Sequence, residues 1–418
     1  MSYFRIKIYL HFVDFVKSLF ISNIENEKIE TLIKKTSKKH NFILTSQLRV
    51  GFLILLQYLK KKFPFKKQII FQPFNLPEMI NIADNLGFKP NFIEQDILTG
   101  QPNLKSLQKK INDKTLAIIV TNIFNSPKTL LKIQKICSKN NILLIEDNAI
   151  YFDNFFKRKN KKFFSGSFGD YSLYSFNIMK NISGFFGGGV STNDKKFIEF
   201  AKIKISNYDS FKINILLKQI TIFLILKILS IGIFHKIFVK ILYRAHKKDN
   251  KTILRIVYPS LRFKKIKFPN YYFTKISEIA KKVIYLQLKN TQNRNQNFLI
   301  RKNNNIYYYK LFKRLKINGV KLLRVEDFNF QNYMDFPILV TNKEKLNNFL
   351  LLNNIETKYL FYHNCAKIFG NKKEFKIQKN GKYFSDHVIG LPNHKKISKK
   401  YMNKIGYTIK KFYEKKVH

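Results

Sequence analysis

Between residues 41 and 148 the sequence alternates short apolar segments with longer amphipathic ones, and this alternation constrains the fold more than any other feature. The segments AIIV (117–120) and ILLI (142–145) are apolar without interruption. Such strands are typical of parallel sheets, whose two faces are both covered by helices. We therefore predict an α/β domain with a mostly parallel sheet. The predicted strands lie at 41–46, 67–74, 89–96, 115–122 and 142–148.

The rest of the chain divides into three further segments. Residues 1–40 form an N-terminal segment, in which charged residues interrupt the apolar ones and no cleavage site of small residues follows. This pattern favours a helix or strand over a signal peptide. The large domain covers 41–204, an apolar and basic insert covers 205–265, and a smaller α+β domain is predicted for 266–418.

The insert contains an almost wholly apolar stretch, residues 213–242. Lysines and one histidine interrupt this stretch, so it contains no clean span of about 20 apolar residues, and Gly232 is expected to divide it into two helices. One interpretation is a peripheral membrane contact in which the lysines reach the lipid headgroups. The other is a buried or dimer-interface helix pair. The basic flank YRAHKKDNK (243–251) favours the membrane.

Charge and cysteine content exclude several classes of function. The net charge is +52, but only 10 of the 78 basic residues are arginine, and the lysines are spread along the whole chain. This distribution indicates a compositional bias rather than the localised patches of a nucleic-acid-binding protein. Cys137 and Cys365 lie too far apart for a disulfide framework or a zinc motif. We therefore predict a cytoplasmic protein without a metal site or a nucleic-acid partner.

The stretch DYSLYSFNIMKNISGFFGGGV (170–190) places Lys180 in a charge-poor segment of a lysine-rich chain. Asp147 ends the apolar strand ILLIED, and ligands of such sheets bind at the carboxyl ends of strands. A lysine and an aspartate brought together there suit pyridoxal 5'-phosphate (PLP), since the lysine can bind the aldehyde and the aspartate can pair with the pyridine nitrogen. A hydroxyl such as that of Ser175 can bind a phosphate oxygen. The alternative from spacing alone is an ordinary ion pair between Asp147 and Lys180.

Several segments together resemble the DegT/DnrJ group of PLP-dependent sugar aminotransferases, which have the fold-type I architecture. LLIEDNA is similar to the family's L-I-E-D-A-A, and GSFGDYSLYSFNIMK followed by GGGV is similar to its G-S-F-G-D … F-S-F … K … G-E-G-G. NLKSLQKKINDKTLAIIVTNIFNSP and VIGLPNHKKIS also resemble family segments. The resemblance extends from about residue 28 to the C-terminus, apart from 205–265.

The resemblance implies roles for particular residues. Lys180 is implied as the catalytic lysine that binds PLP, and the implied cofactor-binding residues are Asp147, Ser175, Ser46, Gln47, Leu76 and Lys180. The segment TSQLRVG departs from the family's Ser-Gly-Thr pattern, because Leu48 and Val50 stand where Gly and Thr are expected. Ser46 and Gln47 remain as donors to the phosphate.

The implied function is transfer of an amino group from Glu or Gln to a keto-sugar, with a nucleotide-linked sugar as the expected acceptor, in glycan or amino-sugar biosynthesis. The resemblance also implies a homodimer, located in the cytoplasm or peripherally on the inner face of the cytoplasmic membrane. Two alternatives remain open. One is an altered, non-catalytic protein at the membrane surface, and the other is a PLP enzyme with a different carbonyl acceptor.

Overall fold

The computed structural model describes residues 2–150, 152, 155–158, 161–258, 267–325, 334–360, 364–369 and 379–415. A seven-stranded sheet forms the centre of the large domain, with the strand order β1-β9-β8-β5-β4-β2-β3. Its strands are β1 (Asn41–Thr45), β2 (Gln68–Phe71), β3 (Lys89–Phe92), β4 (Thr115–Thr121), β5 (Leu143–Asp147), β8 (Tyr171–Ser175) and β9 (Gly188–Thr192). The hairpin of β6 (Phe155–Arg158) and β7 (Lys161–Phe164) forms a separate two-stranded sheet.

The sheet is parallel except at β9, which runs antiparallel to both of its neighbours, β1 and β8. The neighbouring pairs from β8 to β3 are all parallel. The carboxyl ends of six strands therefore meet at one edge, where β9 begins. The prediction of a mostly parallel α/β sheet is confirmed, and its five predicted strands are present with somewhat shorter bounds.

Helices cover both faces of this sheet because alternate side chains of each strand point to opposite sides. On one face, Ile119 of β4 packs in the core with helix α3 (Leu48–Lys62) and helix α4 (Pro77–Asn85). On the other face, Ile118 packs with helix α6 (Pro127–Lys139). Both isoleucines are fully buried, which explains why the segment AIIV has no polar position.

The remaining helices of the large domain surround this core. They are α1 (Phe12–Phe20), α2 (Asn26–Ser37), α5 (Leu104–Lys110) and α7 (Lys195–Ser206). Asn103, the N-cap residue of α5, accepts a hydrogen bond from the backbone N–H of Ser106 at 3.0 Å. This bond satisfies one of the amide groups that a helix leaves unpaired at its start.

The predicted α+β region contains a three-stranded antiparallel sheet, β10 (Val320–Leu322), β11 (Asp335–Val340) and β12 (Val388–Pro392). The helices of this region are α11 (Glu278–Lys289), α12 (Thr291–Leu315), α13 (Lys343–Leu352), α14 (Ala366–Phe369), α15 (Lys379–His387) and α16 (Lys399–Glu414). Helix α11 packs against α1 and α2, and α14 packs against β3 of the large sheet. The core around the three-stranded sheet is separate from that of the large sheet and includes Tyr308, Ile338 and Ile405. The C-terminal region thus contains both helices and strands, as predicted, while the exact domain boundaries stay a prediction.

The insert forms two main helices, α8 (Ile213–Leu229) and α9 (Gly232–Lys247), followed by the shorter α10 (Lys251–Val257). The predicted break at Gly232 is confirmed. Among the described residues, no single helix is long and apolar enough to cross a membrane, although α8 and α9 meet that test as a pair bent by 102°. One side of α9 is buried and carries His235, whose Nε2 lies 3.0 Å from the Glu356 carboxylate of the C-terminal region.

A buried carboxylate joins the strand that carries Asp147 to the loop that precedes β8. Glu146 is completely buried, and its oxygens accept hydrogen bonds from the backbone N–H groups of Gly166, Phe168 and Gly169 at 2.7–3.1 Å. The Asn122 side chain donates a fourth bond to Glu146, at 3.0 Å. The motif GSFG is therefore held in place by Glu146, which the sequence did not identify as important.

We predict that Glu146→Gln lowers the free energy of unfolding by about 3 kcal/mol, because an amide cannot accept all four bonds and its N–H group would face other donors. The measurement is a urea unfolding curve, with Glu199→Gln as the matched control, since Glu199 is exposed on α7. Equal stability of the two variants would contradict this role of Glu146.

Candidate active site

The predicted site residues come together at the edge where the parallel strands end. Gly188, the first residue of β9, pairs with both Thr45 of β1 and Ser175 of β8. Asp147 ends the next strand, β5, and pairs with Leu173 of β8. The chain segments that contain Ser46, Gln47, Ser175 and Asp147 therefore leave the sheet side by side.

Gly188 allows the start of helix α3 to lie directly against β9. A Cβ atom at this position would lie 2.1 Å from the backbone nitrogen of Leu48, the first residue of the helix, which no side chain could tolerate. The first glycine of the GGV segment is therefore required by a close approach between backbones. This contact brings the amino end of α3 to the carboxyl edge of the sheet.

Two buried polar atoms at the start of α3 have no hydrogen-bond partner among the described residues. They are Ser46 Oγ and Gln47 Nε2, and the two residues are 1% and 4% exposed. Buried donors of this kind are normally satisfied, and here they adjoin a helix terminus whose amide groups favour an anion. The donor set is thus suited to a phosphate group.

Lys180 lies after a turn in which its backbone N–H donates to the Asn177 carbonyl at 2.9 Å. Burial lowers the pKa of its ammonium group to about 8, and the positive charges of Lys358 and Arg49 contribute to the lowering, while the Asp147 carboxylate opposes the shift. A lysine with this pKa has a substantial neutral fraction near neutral pH, as a nucleophilic amine requires.

Asp147 is 5% exposed, and burial raises the pKa of its carboxyl group. A hydrogen bond from the Ala149 N–H at 3.0 Å and the charge of Lys180 oppose that rise. Asp147 and Lys180 influence each other electrostatically, yet the described structure contains no ion pair between them within 4.0 Å. An ordinary ion pair, the alternative left open by the sequence, therefore does not describe this pair.

The other two predicted cofactor residues lie at the same edge. Ser175 is the last residue of β8 and is partly buried. Leu76 is the N-cap residue of α4 and is 45% exposed, so its side chain is available for contact with a ligand. The neighbouring Asn75 is fixed by a 2.8 Å hydrogen bond from its Nδ2 to Thr121 Oγ1 of β4. The contacts of Ser175 and Leu76 with a cofactor stay a prediction.

Two cations near Lys180 were absent from the sequence-based site. Arg49, in the first turn of α3, donates to Gln47 Oε1 at 2.9 Å and lies 3.6 Å from a Glu78 oxygen. Lys358 comes from the C-terminal region and forms a buried ion pair with Asp335. Arg49 follows the predicted phosphate segment and could have been found by its position. Lys358 gives no signal in a sequence so rich in lysine.

Residues 13–210 match the model of the DegT/DnrJ/EryC1/StrS aminotransferase family. The match covers slightly less than half of the chain. A GDP-perosamine synthase of Escherichia coli O157:H7 is 34% identical over 116 residues, which are 28% of this chain and 31% of that protein. A UDP-4-amino-4,6-dideoxy-N-acetyl-beta-L-altrosamine transaminase of Helicobacter pylori is 29% identical over 140 residues, 33% of this chain and 36% of that protein. The matches thus span about a third of these relatives.

Solved structures extend the similarity of fold to nearly the whole chain. The Helicobacter pylori aminotransferase PseC, involved in the biosynthesis of pseudoaminic acid, superposes with a TM-score of 0.71 at 18% identity, covering 99% of this chain and 100% of its own. A GDP-4-keto-6-deoxymannose-3-dehydratase with a trapped PLP-glutamate geminal diamine gives 0.70 at 18% identity, with coverages of 98% and 100%. The architecture is therefore that of fold-type I PLP enzymes.

The electrostatic account of Lys180 predicts opposite effects for two neighbouring substitutions. Asp147→Asn removes the charge that favours the ammonium form, so the pKa of Lys180 falls, whereas Arg49→Gln removes a repulsive charge, so it rises. We expect each shift to be roughly half a unit to one unit. Competitive acylation with a limiting reagent, followed by mass spectrometry of the peptide containing Lys180, measures this pKa.

Exposed lysines of the same digest provide the internal reference for reactivity. In the wild type, acylation of Lys180 is expected to rise with pH through about 8. Shifts in the same direction for both variants, or none, would contradict the assigned arrangement of charges.

Proposed function

We propose that this protein is a PLP-dependent aminotransferase that moves an amino group from glutamate or glutamine to a keto-sugar. The observation that carries the proposal is the combination, at one sheet edge, of a lysine of lowered pKa, a buried carboxylate and unpaired donors at a helix start. These are the groups needed by an aldehyde, a pyridine nitrogen and a phosphate, respectively.

The donor set of the described residues fits PLP. Ser46, Gln47 and the amino end of α3 would hold the phosphate, and Ser175 would add a hydroxyl to it. Asp147 would pair with the pyridine nitrogen, and Leu76 would lie beside the ring. When bound, PLP supplies an electron sink that stabilises negative charge at the carbon bearing the amino group.

The residues of this chain have distinct tasks in the proposed reaction. With PLP bound, the negative charge of Asp147 would favour a proton on the pyridine nitrogen, and the Ala149 N–H and the charge of Lys180 favour that ionised carboxylate. Lys180 Nζ would accept the proton that the α-carbon of the amino donor loses and would return it later in the transfer. With a pKa of about 8, the amine has the neutral form that accepts this proton and the charged form that returns it.

The family and the named relatives support a nucleotide-linked keto-sugar as acceptor, in glycan or amino-sugar biosynthesis. Arg49 and Lys358 place two cationic side chains near Lys180 that can contact an anionic substrate. We also propose a homodimer, because the sequence resembles a family that builds its sites between two subunits. The cytoplasm is the proposed location.

A peripheral contact of residues 213–242 with the inner face of the cytoplasmic membrane is part of the same proposal. Its support is the set of large apolar side chains that α8 and α9 expose. This contact would place the enzyme beside membrane-bound steps that consume its product.

The first experiment incubates the purified protein with PLP and glutamate in a single turnover. We expect close to one equivalent of 2-oxoglutarate per chain, and its loss in Lys180→Ala, because that variant lacks both the amine that binds the aldehyde and the proton carrier. Borohydride reduction of the wild type with PLP, followed by mass spectrometry, is expected to locate the cofactor on Lys180.

The matched control is a lysine that is exposed rather than buried. Lys195 lies exposed at the start of α7, so the variant Lys195→Ala removes the same side chain outside the proposed site. This variant is expected to behave like the wild type. Reduction that labels lysines at random, or equal release of 2-oxoglutarate by Lys180→Ala, would refute the proposed role of Lys180.

A second prediction concerns the phosphate-binding atoms. Ser46→Ala and Gln47→Met are each expected to weaken PLP binding roughly tenfold to a hundredfold, because a hydrogen bond to a charged group is lost. Binding of pyridoxal, which has no phosphate, is expected to change little. Titrations that follow the cofactor absorbance give both dissociation constants, and equal losses for the two ligands would show that these residues do not act on the phosphate.

A further inference from the structure

Helices α8 and α9 both expose large apolar side chains, which together we call the hairpin face. Its members, each between 39% and 67% exposed, are Ile213, Leu217, Leu224, Ile225, Ile228, Ile231, Ile233, Phe234, Ile237 and Ile241. The opposite side of the hairpin is buried through Leu216, Phe223 and Val239. Helix α1 packs against this buried side, where the rings of Phe15 and Phe223 lie 6.0 Å apart. Helix α1 also exposes Phe12 and Val13.

The charges around the hairpin face have a single sign. Residues 213–248 contain no aspartate or glutamate, while Lys218, Lys236 and Lys240 are exposed among the apolar side chains. Burial lowers the pKa of Lys404 of α16, and the nearby positive charge of Lys236 lowers it further. An apolar face with a basic rim is complementary to an anionic bilayer, whose headgroups attract lysine while its acyl chains accept apolar side chains.

A second observation is a group of four lysines beside α8, which we call the lysine cluster: Lys7, Lys227, Lys395 and Lys396. Lys227 Nζ lies 3.5 Å from the carbonyl oxygen of Ile8, which places it next to the N-terminal segment. Lys7 is only 7% exposed, and its Nζ lies 3.4 Å from Asn297 Oδ1 and 4.7 Å from the centre of the Tyr9 ring. Lys395 and Lys396 are exposed in the loop before α16.

The lysine cluster has too little negative charge within the described part of the chain. Asp14 is the carboxylate that acts on Lys227 and on the nearby His11, and the charged groups that act on Lys7 are all lysines. Burial, followed by the repulsion of Lys395, Lys227 and Lys396, lowers the pKa of Lys7 to about 6. Lys7 is therefore largely uncharged at neutral pH, and an anion bound beside Lys227, Lys395 and Lys396 would favour its charged form.

We propose that the lysine cluster binds the phosphate of an anionic phospholipid while the hairpin face lies on the bilayer. This inference rests on the membrane contact proposed above and adds the site that recognises the headgroup. The occupant is a lipid rather than a soluble phosphate because the cluster lies beside α8, whose exposed side contributes five residues to the hairpin face. Lys227 Nζ lies 5.4 Å from the centre of the Phe223 ring, so a bound lipid would have its phosphate on the buried side of α8 and its acyl chains on the exposed side.

The test is sedimentation of the full-length protein with vesicles of phosphatidylglycerol mixed with phosphatidylcholine, and with pure phosphatidylcholine, at physiological salt. We expect strong binding to the anionic vesicles only. The variant Lys227→Gln/Lys395→Gln/Lys396→Gln is expected to lose roughly a hundredfold in partition coefficient, since a lysine near an anionic surface contributes about fivefold. The double variant Lys395→Gln/Lys396→Gln, with two exposed substitutions, serves if the triple variant does not fold.

The matched control removes the same charge elsewhere. Lys105, Lys109 and Lys132 are exposed on α5 and α6, and the variant Lys105→Gln/Lys109→Gln/Lys132→Gln is expected to stay within about threefold of the wild type, because distant charges are screened by salt. Lys180→Ala is expected to bind vesicles as the wild type does, which separates this test from that of the proposed reaction.

Three results would overturn the proposal. Equal losses in the two triple variants would mean that the net charge of +52 drives binding without a site. Displacement from vesicles by millimolar inorganic phosphate or a nucleoside diphosphate at constant ionic strength would assign the cluster to a soluble anion. Absence of vesicle binding, together with a dimer that buries the hairpin face, would assign that face to a second copy of the chain.

Discussion

The close approach of α3 to β9 at Gly188 is the contact on which the arrangement of the site depends. With a Cβ atom at Gly188 only 2.1 Å from the Leu48 nitrogen, the helix could not begin where it does. Gly189 is similarly confined, because a Cβ atom there would lie 2.2 Å from the Phe42 ring. Two successive residues without side chains thus allow β9 to lie between β1 and β8, and so bring Ser46 and Gln47 to the edge that Asp147 and Ser175 also reach.

Burial is the main cause of the lowered pKa of Lys180. Among the neighbouring charges, the Asp147 carboxylate favours the ammonium form, while Lys358 and Arg49 oppose it. Each of these two cations has an acidic partner of its own, Asp335 for Lys358 and Glu78 for Arg49. Removal of an amine from water disfavours its charged form, so the packing that forms the site also keeps part of the Lys180 population neutral and nucleophilic.

The sequence predicts the central sheet well because apolar strands and capped helices have local signals. AIIV and ILLI are almost entirely buried, and Asn103 is a residue type that is typical of the N-cap position it occupies. The sequence could not predict the role of Glu146, since its four partners come from segments 20 or more residues away. It also missed Lys358, because one lysine among so many carries no signal until the fold places it near Lys180.

The insert shows a different limit of sequence reasoning. Helix α8 is apolar on all sides, so periodicity cannot distinguish the side that packs on Phe185 from the side that is exposed. The distinction comes only from tertiary contacts, such as the Phe185–Phe223 ring pair at 5.6 Å. The basic residues, in contrast, can be recognised from the sequence alone. Residues 213–248 contain no acidic residue, and this one-sided charge is what favours a membrane contact in the sequence.

The departure from the family's phosphate-binding segment has a structural explanation. Leu48 and Val50 stand where Gly and Thr are expected, and they are 7% and 0% exposed because both side chains pack in the main core with α3. Ser46 Oγ and Gln47 Nε2 are buried and unpaired just before the helix, among the residues that the structure describes, and leaving two such atoms unsatisfied costs free energy that a bound phosphate would recover. On this argument we expect phosphate recognition to depend on the residues before the helix.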